Sequence, residues 1–600
     1  LRADIFISLT TFFTENYSPN LNDNWEGYEP DAYILLKPKV NAKVLESKFP
    51  EFLERNDGEG MKKLQAYVTL YLEPFKEVYL RSDRYRTISG NINNVYTLSI
   101  VALFILLIAS INFINLTTAR STERAREVGI RKVIGAEKRQ LGLQFIGEST
   151  LICLLAFSLT LAITSLILPA FNDMAGKTIA EGILSNPSHV LSLLGIAILI
   201  GILAGSYPAF ILSSFKPVNV LKGSFSNGTK GILLRKGLVV TQFSISIALI
   251  IGTIVIYHQM SFMRNQDLGF DKDRMVILNS SNTELKDGLE ALPGVVSTSL
   301  VSSIPGGDNP LAYSRIQNVN NDQQIVDVDA YFVDFDAITQ FDMKVVAGRG
   351  FSRQFPTDTL EAMVINESAA KLLGFASPKD ALEAKFEQWG RSGRVVGVVQ
   401  DFHFKSLKEN IDPLTMRVGR GRKGLLTVKL SSKDLTNTVA SIEEKWKDVL
   451  PNEPFDYYFL DEFFDRQYRA DERFGYLIFN FSMLAIIISC LGLFGLVAYS
   501  TVQRRREIGI RKVIGASVMG IVKLLSKEFL KLVGLAIILA SPLAWLVMNY
   551  WLEDFAYQIE IQWWVFVMAG TMVLTIALLT VGFHAIKAAN INPVKSLRTE

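Results

Sequence analysis

Long unbroken apolar runs alternate along this chain with mixed polar stretches, and the length of the runs decides the fold class. A helix crossing a hydrocarbon core of roughly 30 Å needs about 20 apolar residues. Seven stretches meet that requirement, at approximately 95–118, 148–170, 189–213, 237–260, 474–500, 529–552 and 562–583; Val101-Ala-Leu-Phe-Ile-Leu-Leu-Ile-Ala109 is typical of them. One such run is compatible with a buried core helix, but seven predict a polytopic α-helical membrane protein. The polar stretch 262–472 has a different texture. Met275-Val-Ile-Leu278, Val395-Val-Gly-Val-Val399 and Leu426-Thr-Val-Lys-Leu430 read as strands, with helical patterns at about 366–374 and 433–449, so an α+β domain is expected there.

Charge orients these spans. Short loops rich in Lys and Arg stay on the cytoplasmic side. Residues 119–146 carry seven basic residues (Arg120, Arg124, Arg126, Arg131, Lys132, Lys138 and Arg139), 214–236 carries five with no acid, and 501–527 carries seven. The segments 171–188 and 553–561 are acidic on balance. The basic loops and the C-terminus are therefore expected in the cytoplasm, which puts 1–94 and 262–472 on the outer face. In a Gram-negative cell that face is the periplasmic side of the inner membrane. The chain is 49% hydrophobic with a net charge of only +3 and a mean hydropathy of +0.24, which points to lipid contact and gives no case for a nucleic-acid partner. Cys153 and Cys490 lie inside apolar runs, where a thiol behaves as a small hydrophobe.

The chain also repeats itself. Arg126-Glu-Val-Gly-Ile-Arg-Lys-Val-Ile-Gly-Ala136 returns as Arg506-Glu-Ile-Gly-Ile-Arg-Lys-Val-Ile-Gly-Ala516, 380 positions on, with Val128 against Ile508 the only change. Glu148 and Glu528 keep that register, and the third span of each half ends alike, at Lys216-Pro-Val-Asn-Val-Leu-Lys222 and Asn592-Pro-Val-Lys-Ser-Leu-Arg598. Each unit is an outer domain followed by three spans, with the basic loop between the first two of the three. The segments expected are a truncated first periplasmic domain (1–94), a first permease domain (95–235, loop 119–146), a span leading into the second unit (236–261), a second periplasmic domain (262–472) and a second permease domain (473–600, loop 501–527). The second copy has a span before its outer domain and the first does not. An intact protein with eight spans and two full outer domains is expected.

The repeated loop reads as a basic helix continuing from the span, with Ile508, Val513 and Ile514 on a contact face and Gly509 and Gly515 allowing close approach or a break. A headgroup anchor needs only Lys and Arg in any order. Near-identity over eleven residues, glycines included, asks for more than that, and docking to a protein groove is the better reading.

Arg-x-x-Glu-(Ile/Val)-Gly-Ile-Arg-Lys-x-x-Gly-Ala after a transmembrane helix resembles the signature of the FtsX-like permease domain, shared by MacB-type exporters, lipoprotein-releasing permeases and the cell-division permease. Val395-Val-Gly-Val-Val-Gln-Asp-Phe-His-Phe404, followed by Ser406-Leu-Lys-Glu-Asn-Ile-Asp-Pro413, resembles the MacB-type periplasmic core domain, as does Asp267-Leu-Gly-Phe-Asp-Lys-Asp273. The resemblance implies a non-catalytic permease subunit of an ABC transporter whose basic loops couple to a separate cytoplasmic ATPase dimer. The coupling residues would be Glu127, Gly129, Arg131, Lys132, Gly135 and Ala136, with Glu507, Gly509, Arg511, Lys512, Gly515 and Ala516. ATP and Mg²⁺ would be bound by that partner, and no cofactor or metal is expected in this chain. MacB-type exporters fuse their ATPase in front of four spans and act as dimers; the tandem units here put homodimerisation in question. Export or extraction of an envelope substrate (peptide, antibiotic, lipid or lipoprotein) by mechanotransmission is the leading expectation, with a periplasmic adaptor, an outer-membrane channel or an envelope client as further partners. The alternatives are a regulatory permease that activates a cell-wall hydrolase and a peptide-sensing or detoxification module.

Other motifs weigh little. Gly176-Lys-Thr178 lacks the first glycine of a phosphate-binding loop, since position 171 is Phe. Gly419-Arg-Gly-Arg-Lys-Gly424 precedes a strand pattern where a dinucleotide fingerprint needs a helix. His189, His258, His403 and His584 have no metal-ligand spacing, and no catalytic residues are expected. Gly201 and Gly205 permit close helix packing, Pro542 should bend its span, and Glu148 and Glu528 either snorkel to water or pair with loop arginines. Ionisable residues are nearly absent from the span interiors, so no polar path through the bilayer is expected.

Overall fold

The computed structural model describes residues 32–589 apart from 65–66, 82–89, 91, 177, 181, 183, 215–228, 308–310, 389, 420–423 and 432–433, and does not describe the side chains of several residues within helices, 119–126 among them. The first 31 residues of the truncated domain 1–94, the paired span ends at 216–222 and 592–598, and the centre of the 419–424 turn lie outside the described residues. The chain forms two compact units. One comprises Leu1–Ile92, Leu268–Lys405 and Ile411–Phe464; the other comprises Asn93–Asp267, Ser406–Asn410 and Asp465–Glu600.

In chain order, three short helices come first: α1 (Ala42–Glu46), α2 (Phe49–Leu64) and α3 (Phe75–Arg81). Four long ones follow: α4 (Ile92–Val133), α5 (Lys138–Ala175), α6 (Pro187–Ser214) and α7 (Thr229–Asn265). The strand-rich part then runs β1 (Met275–Leu278), α8 (Thr283–Glu290), β2 (Val295–Val301), β3 (Leu311–Gln317), β4 (Gln323–Val333), α9 (Ala337–Gln340), β5 (Val345–Gly348), β6 (Ala362–Asn366), α10 (Glu367–Leu372), β7 (Lys385–Gln388), β8 (Arg391–Val399), β9 (Leu414–Val418), β10 (Leu425–Leu430), α11 (Leu435–Val449) and β11 (Tyr457–Phe459). The chain closes with α12 (Leu460–Asp465), α13 (Arg469–Gln503), α14 (Arg505–Val513), α15 (Val518–Leu552) and α16 (Trp563–Ala589).

The sheet domain has two parts. Strands β11, β1, β10 and β2 form an antiparallel layer. Its alternating residues Val276, Leu278, Leu300, Leu426 and Val428 face Leu285 and Leu289 of α8 and Ile442 and Trp446 of α11. Strands β4, β3, β7, β8, β6 and β9 pair in turn, and β9 pairs back with β4, so they close into a six-stranded ring. Closure leaves those strands without an open edge. The ring's core is built from Ile316, Val328, Met363, Ile365, Phe386 and Val395, with Ala369 and Leu373 from the α10 segment. The two sequence motifs assigned to this domain meet here. Gly269 is left-handed (φ 76°), and a Cβ on it would press on Phe402 and the Asp401 carbonyl. His403 N donates to Leu268 O at 2.8 Å, and the Phe270 ring stands edge-on to Phe402.

Among the described residues, seven helices are long and apolar enough to span a bilayer, and they coincide with the seven runs of the sequence. Leu166, Ile538, Leu546, Val547 and Leu579 are each more than 60% exposed. Such apolar exposure would be a liability in water and is what a lipid-facing surface requires. The chain is a polytopic helical membrane protein with an α+β domain.

Helices α7, α13, α15 and α16 share one core, in which Ala536, Ala540, Ala544, Ala569 and Ala577 keep the backbones close. α5 and α6 form a hairpin, and a Cβ at Gly201 or Gly205 would collide with Thr150 or Ser149. α15 runs on through Pro542. An uncharged polar seam joins the spans. Gln242 donates to Ser489 O at 3.0 Å, Ser246 and Ser489 share a 2.8 Å hydrogen bond, Thr253 and Ser482 another of 2.8 Å, and Asn112 donates to Ile488 O at 2.6 Å.

Residues 406–410 pack within the helical unit although the chain on either side belongs to the other unit. Lys408 Nζ lies 2.8 Å from the Asp471 carboxylate, Leu407 N donates to the Tyr468 hydroxyl at 3.0 Å, and Ala556 N donates to Lys408 O at 3.0 Å.

Candidate functional site

The repeated loops are built from the same local physics. Each helix ends at a glycine held left-handed, Gly135 (φ 105°) and Gly515 (φ 98°). The end is closed by Ala136 N to Arg131 O (3.0 Å) and Gly135 N to Lys132 O (3.1 Å), and in the second copy by Ala516 N to Arg511 O (2.9 Å) and Gly515 N to Lys512 O (3.1 Å). This is the double hydrogen bond that satisfies a helix's last carbonyls and favours glycine in the left-handed position. The next helix starts at once. Glu137 forms a capping box with Gln140 before α5, and the Ser517 hydroxyl accepts from Gly520 N before α15. Among the described residues, no heavy atom beyond the chain neighbours lies within 4 Å of a Cβ added at Gly135 or Gly515, so it is the left-handed backbone that favours glycine there. Gly135→Ala with Gly515→Ala should therefore cost about 1 kcal/mol per loop, read as faster amide hydrogen exchange in the helix ends around Ala136 and Ala516.

Burial follows the same pattern in both loops. Glu127 and Glu507 are exposed, Val128 and Gly129, like Ile508 and Gly509, are buried, Arg131 and Arg511 are exposed, and Lys132 and Lys512 are half-buried; Ala136 is half-buried where Ala516 is exposed. Val128 packs with Leu141, Phe145 and Ala209. Ile508 packs with Ile521, Leu525 and Ala585. The first three pairs keep the 380-residue register, and the last keeps the 376-residue register of the third spans. Ile508 is thus not on the outward contact face expected from the sequence. Its apolar side is taken by α15 and α16, and it holds the loop helix against them. What remains outward is a ridge of Ile130, Val133 and Ile134 (46, 64 and 80% exposed), matched by Ile510, Val513 and Ile514 (44, 65 and 79%). This anchor was readable only as an apolar position kept in both copies.

The charged groups fix the helices internally. Glu127 and Arg131 pair at 2.7 Å and Glu507 and Arg511 at 2.8 Å, each one helical turn apart. Arg131 also donates to Gln144 Oε1 (2.9 Å), and Gln144 donates to Glu148 (2.9 Å). In the second copy position 524 is Leu, and Arg504 reaches Glu528 directly at 3.2 Å. Both glutamates at the span edges are thus engaged by loop-side groups. Burial, with Lys138 close by, pulls the Lys132 ammonium below its ordinary value. One expectation needs correcting. The helix is continuous from span to loop in α4, but Arg504 (φ −91°, ψ 9°) breaks it between α13 and α14, because its backbone leaves the helical region while its side chain crosses to Glu528.

The FtsX-like permease C-terminal family model matches residues 99–217 and 479–593, in the two registers of the repeat. Among curated relatives, the macrolide export ATP-binding/permease protein MacB of Campylobacter jejuni is 27% identical over 191 residues, 32% of this chain and 27% of that protein. MacB of Bdellovibrio bacteriovorus is 31% identical over 125 residues, 21% of this chain and 19% of that protein. The chain thus spans about a quarter or less of the length of these relatives. Among solved structures, the periplasmic region of MacB from Actinobacillus actinomycetemcomitans aligns with a TM-score of 0.25 and 18% identity, over 32% of this chain and 92% of that one. With the permease model matched twice, once around each of the two loops just described, the chain carries the FtsX-like permease C-terminal domain in both of its halves.

Proposed function

We propose that this chain is the transmembrane permease subunit of an ABC transporter, and that it carries ATP-driven motion from a separate cytoplasmic ATPase dimer to domains on the periplasmic side of the inner membrane. It is not itself the enzyme: ATP and Mg²⁺ are bound by the partner. The work done is export or extraction of an envelope substrate such as a peptide, an antibiotic, a lipid or a lipoprotein.

The observation that supports this reading best is the duplicated loop. Two exposed apolar ridges, each flanked by Arg and Lys, are presented on helices whose other side is anchored to the spans. A lipid anchor has no need of matched exposure at three positions in two copies, whereas docking to two equivalent grooves does. The coupling set is then Glu127, Gly129, Arg131, Lys132, Gly135 and Ala136 with Glu507, Gly509, Arg511, Lys512, Gly515 and Ala516. The ridge residues Val133 and Val513 make the contact, and the glycines give it its shape.

Val133→Asp with Val513→Asp changes two residues that are about two-thirds exposed, so folding should be untouched. The expected result is that affinity purification from membranes no longer recovers the ATPase and that stimulated ATP hydrolysis falls at least about tenfold, as the loss of an apolar anchor in each of two grooves implies. Co-purification and stimulation at the unaltered level would overturn the docking assignment.

A further inference from the structure

The six-stranded ring carries on its outer wall a trough of about 440 Å³, within the range of roughly 300–1,000 Å³ that small-ligand sites occupy. Its floor is the outward face of β7 and β8, and the segment 349–361 forms one side. Two glycines of β8 bring that side into place. A Cβ on Gly393 would collide with the Glu361 carbonyl, and one on Gly397 with the Arg349 carbonyl. Both ends of the segment therefore lie directly on the strand, held by Arg394 N to Glu361 O (2.8 Å) and Arg349 N to Val396 O (3.1 Å). Between them the Arg349 guanidinium forks onto Asp358 at 2.6 and 2.8 Å, and Asp358 accepts a third bond from Ser352 N at 3.0 Å. A wall fixed in this way lowers the ordering cost of binding.

The charges on the floor ask for a ligand. Lys385 and Arg394 stand directly opposite each other in the β7–β8 register, and like charges so placed repel. Arg394 pairs with the exposed Glu383 at 2.9 Å, and Lys385 has no ion pair among the described residues. Two cations beside one carboxylate can take a second carboxylate, which a guanidinium binds through two parallel N–H groups. On the other edge of β8, Ala362 is in line with Arg394. Its neighbour Glu361 is exposed and, among the described residues, has no ion pair either; it suits an ammonium. A multiply charged anion is disfavoured, because Asp358, Glu361, Glu383 and Glu387 line the trough against Arg349, Lys385 and Arg394. A ligand with one carboxylate and one ammonium matches both ends. The backbones that carry Lys385 and Glu361 are separated by two strand spacings, about 10 Å, and about three extended residues cover that distance.

We propose that the trough binds a short zwitterionic peptide of about three residues, with its C-terminal carboxylate on Lys385 and Arg394 and its N-terminal ammonium on Glu361. The site belongs to the sheet domain. It holds whether or not the loops engage an ATPase, and whatever substrate the subunit moves.

The test is calorimetric titration of the full chain, held in lipid nanodiscs, with trialanine. Saturable binding is expected. Trialanine amide, which lacks the carboxylate, and N-acetyl-trialanine, which lacks the ammonium, should each bind at least about tenfold more weakly, as the loss of charge-assisted hydrogen bonds implies. Lys385→Ala with Arg394→Ala should bring trialanine down to the affinity of its amide and leave the amide itself little changed. Glu361→Gln should remove only the preference over the acetylated peptide. All three side chains are exposed, so the melting temperature should not move. Absence of saturable trialanine binding, equal binding of the amide or the acetylated peptide by the parent protein, or displacement of trialanine by an equal concentration of inorganic phosphate would each overturn the proposal.

Discussion

Replacing Lys286 with alanine is expected to destabilise the sheet domain by about 3–5 kcal/mol, the loss that follows when one partner of a buried ion pair is removed. Lys286 projects from α8 into a site where its side chain is 8% exposed, and it binds Asp334 at 2.8 Å and Asp336 at 3.0 Å. Asp334, at 7%, also accepts from Leu300 N at 2.9 Å and from the Ser299 hydroxyl at 2.5 Å. Asp336 is held on its other side by Arg353. Without the ammonium, Asp334 keeps its backbone and hydroxyl donors but loses the lysine it is ion-paired with, at the junction where β2 meets β4 and α8 packs on the sheet. The effect should appear in the intact protein as faster hydrogen exchange and proteolysis confined to the sheet domain. Lys286→Met with Asp334→Asn and Asp336→Asn should recover much of the loss, since the charges then leave together.

The same network sets a pH dependence. Burial raises the Asp336 carboxyl, but its bonds to Arg353 and Lys286 outweigh that and hold it below its ordinary value. Its contribution is therefore complete above the ordinary carboxylate range and is lost as pH falls through the lower folded value. Burial lowers the Lys286 ammonium, and Asp334 and Asp336 outweigh that and raise it. Its contribution is complete below the ordinary lysine value and is lost as pH rises through the raised one. The network is at full strength across the neutral range, so the Lys286→Ala deficit should be flat there and shrink only in strong acid or strong base.

The spans were legible in the sequence because apolar length is a one-dimensional property, and the α+β texture of 262–472 was legible because period-two and period-3.6 patterns are local. The closed ring was not, since β4 closes onto β9 across more than 80 residues of chain, and register of that kind is set by packing. The seam was hidden for a related reason. Asn112, Gln242 and Ser489 read as isolated polar residues in three separate apolar runs, and only the fold brings their helices together. In the loops, the repeat identified every residue of the motif but not which way each one faced. The amphipathic pattern gave Ile508, Val513 and Ile514 one apolar side; the tertiary structure divided it, turning Ile508 inward and leaving the other two exposed.

That division predicts a second large effect, separable from docking itself. Val128→Asp with Ile508→Asp should abolish coupling, with stimulated ATP hydrolysis falling at least about tenfold, although neither residue lies on the exposed ridge. Val128 and Ile508 are 2% and 6% exposed inside four-residue apolar clusters. A carboxylate cannot remain there unpaired, and it would pull the helix off α5 or α15 rather than ionise in place. Truncation alone, as in Ile508→Ala, should cost about 2–4 kcal/mol locally. The ridge would still exist, but on a helix no longer tied to the spans, so an ATPase that still bound could not move them. Binding and coupling should therefore part: co-purification partly retained and stimulation lost, with the proteolytic pattern of the sheet domain unchanged. The exchange Val128→Ile with Ile508→Val, which keeps both clusters apolar, should leave stimulation intact. If the aspartate pair coupled as well as the parent protein, the buried positions would not be the anchors that make each loop helix move with its spans.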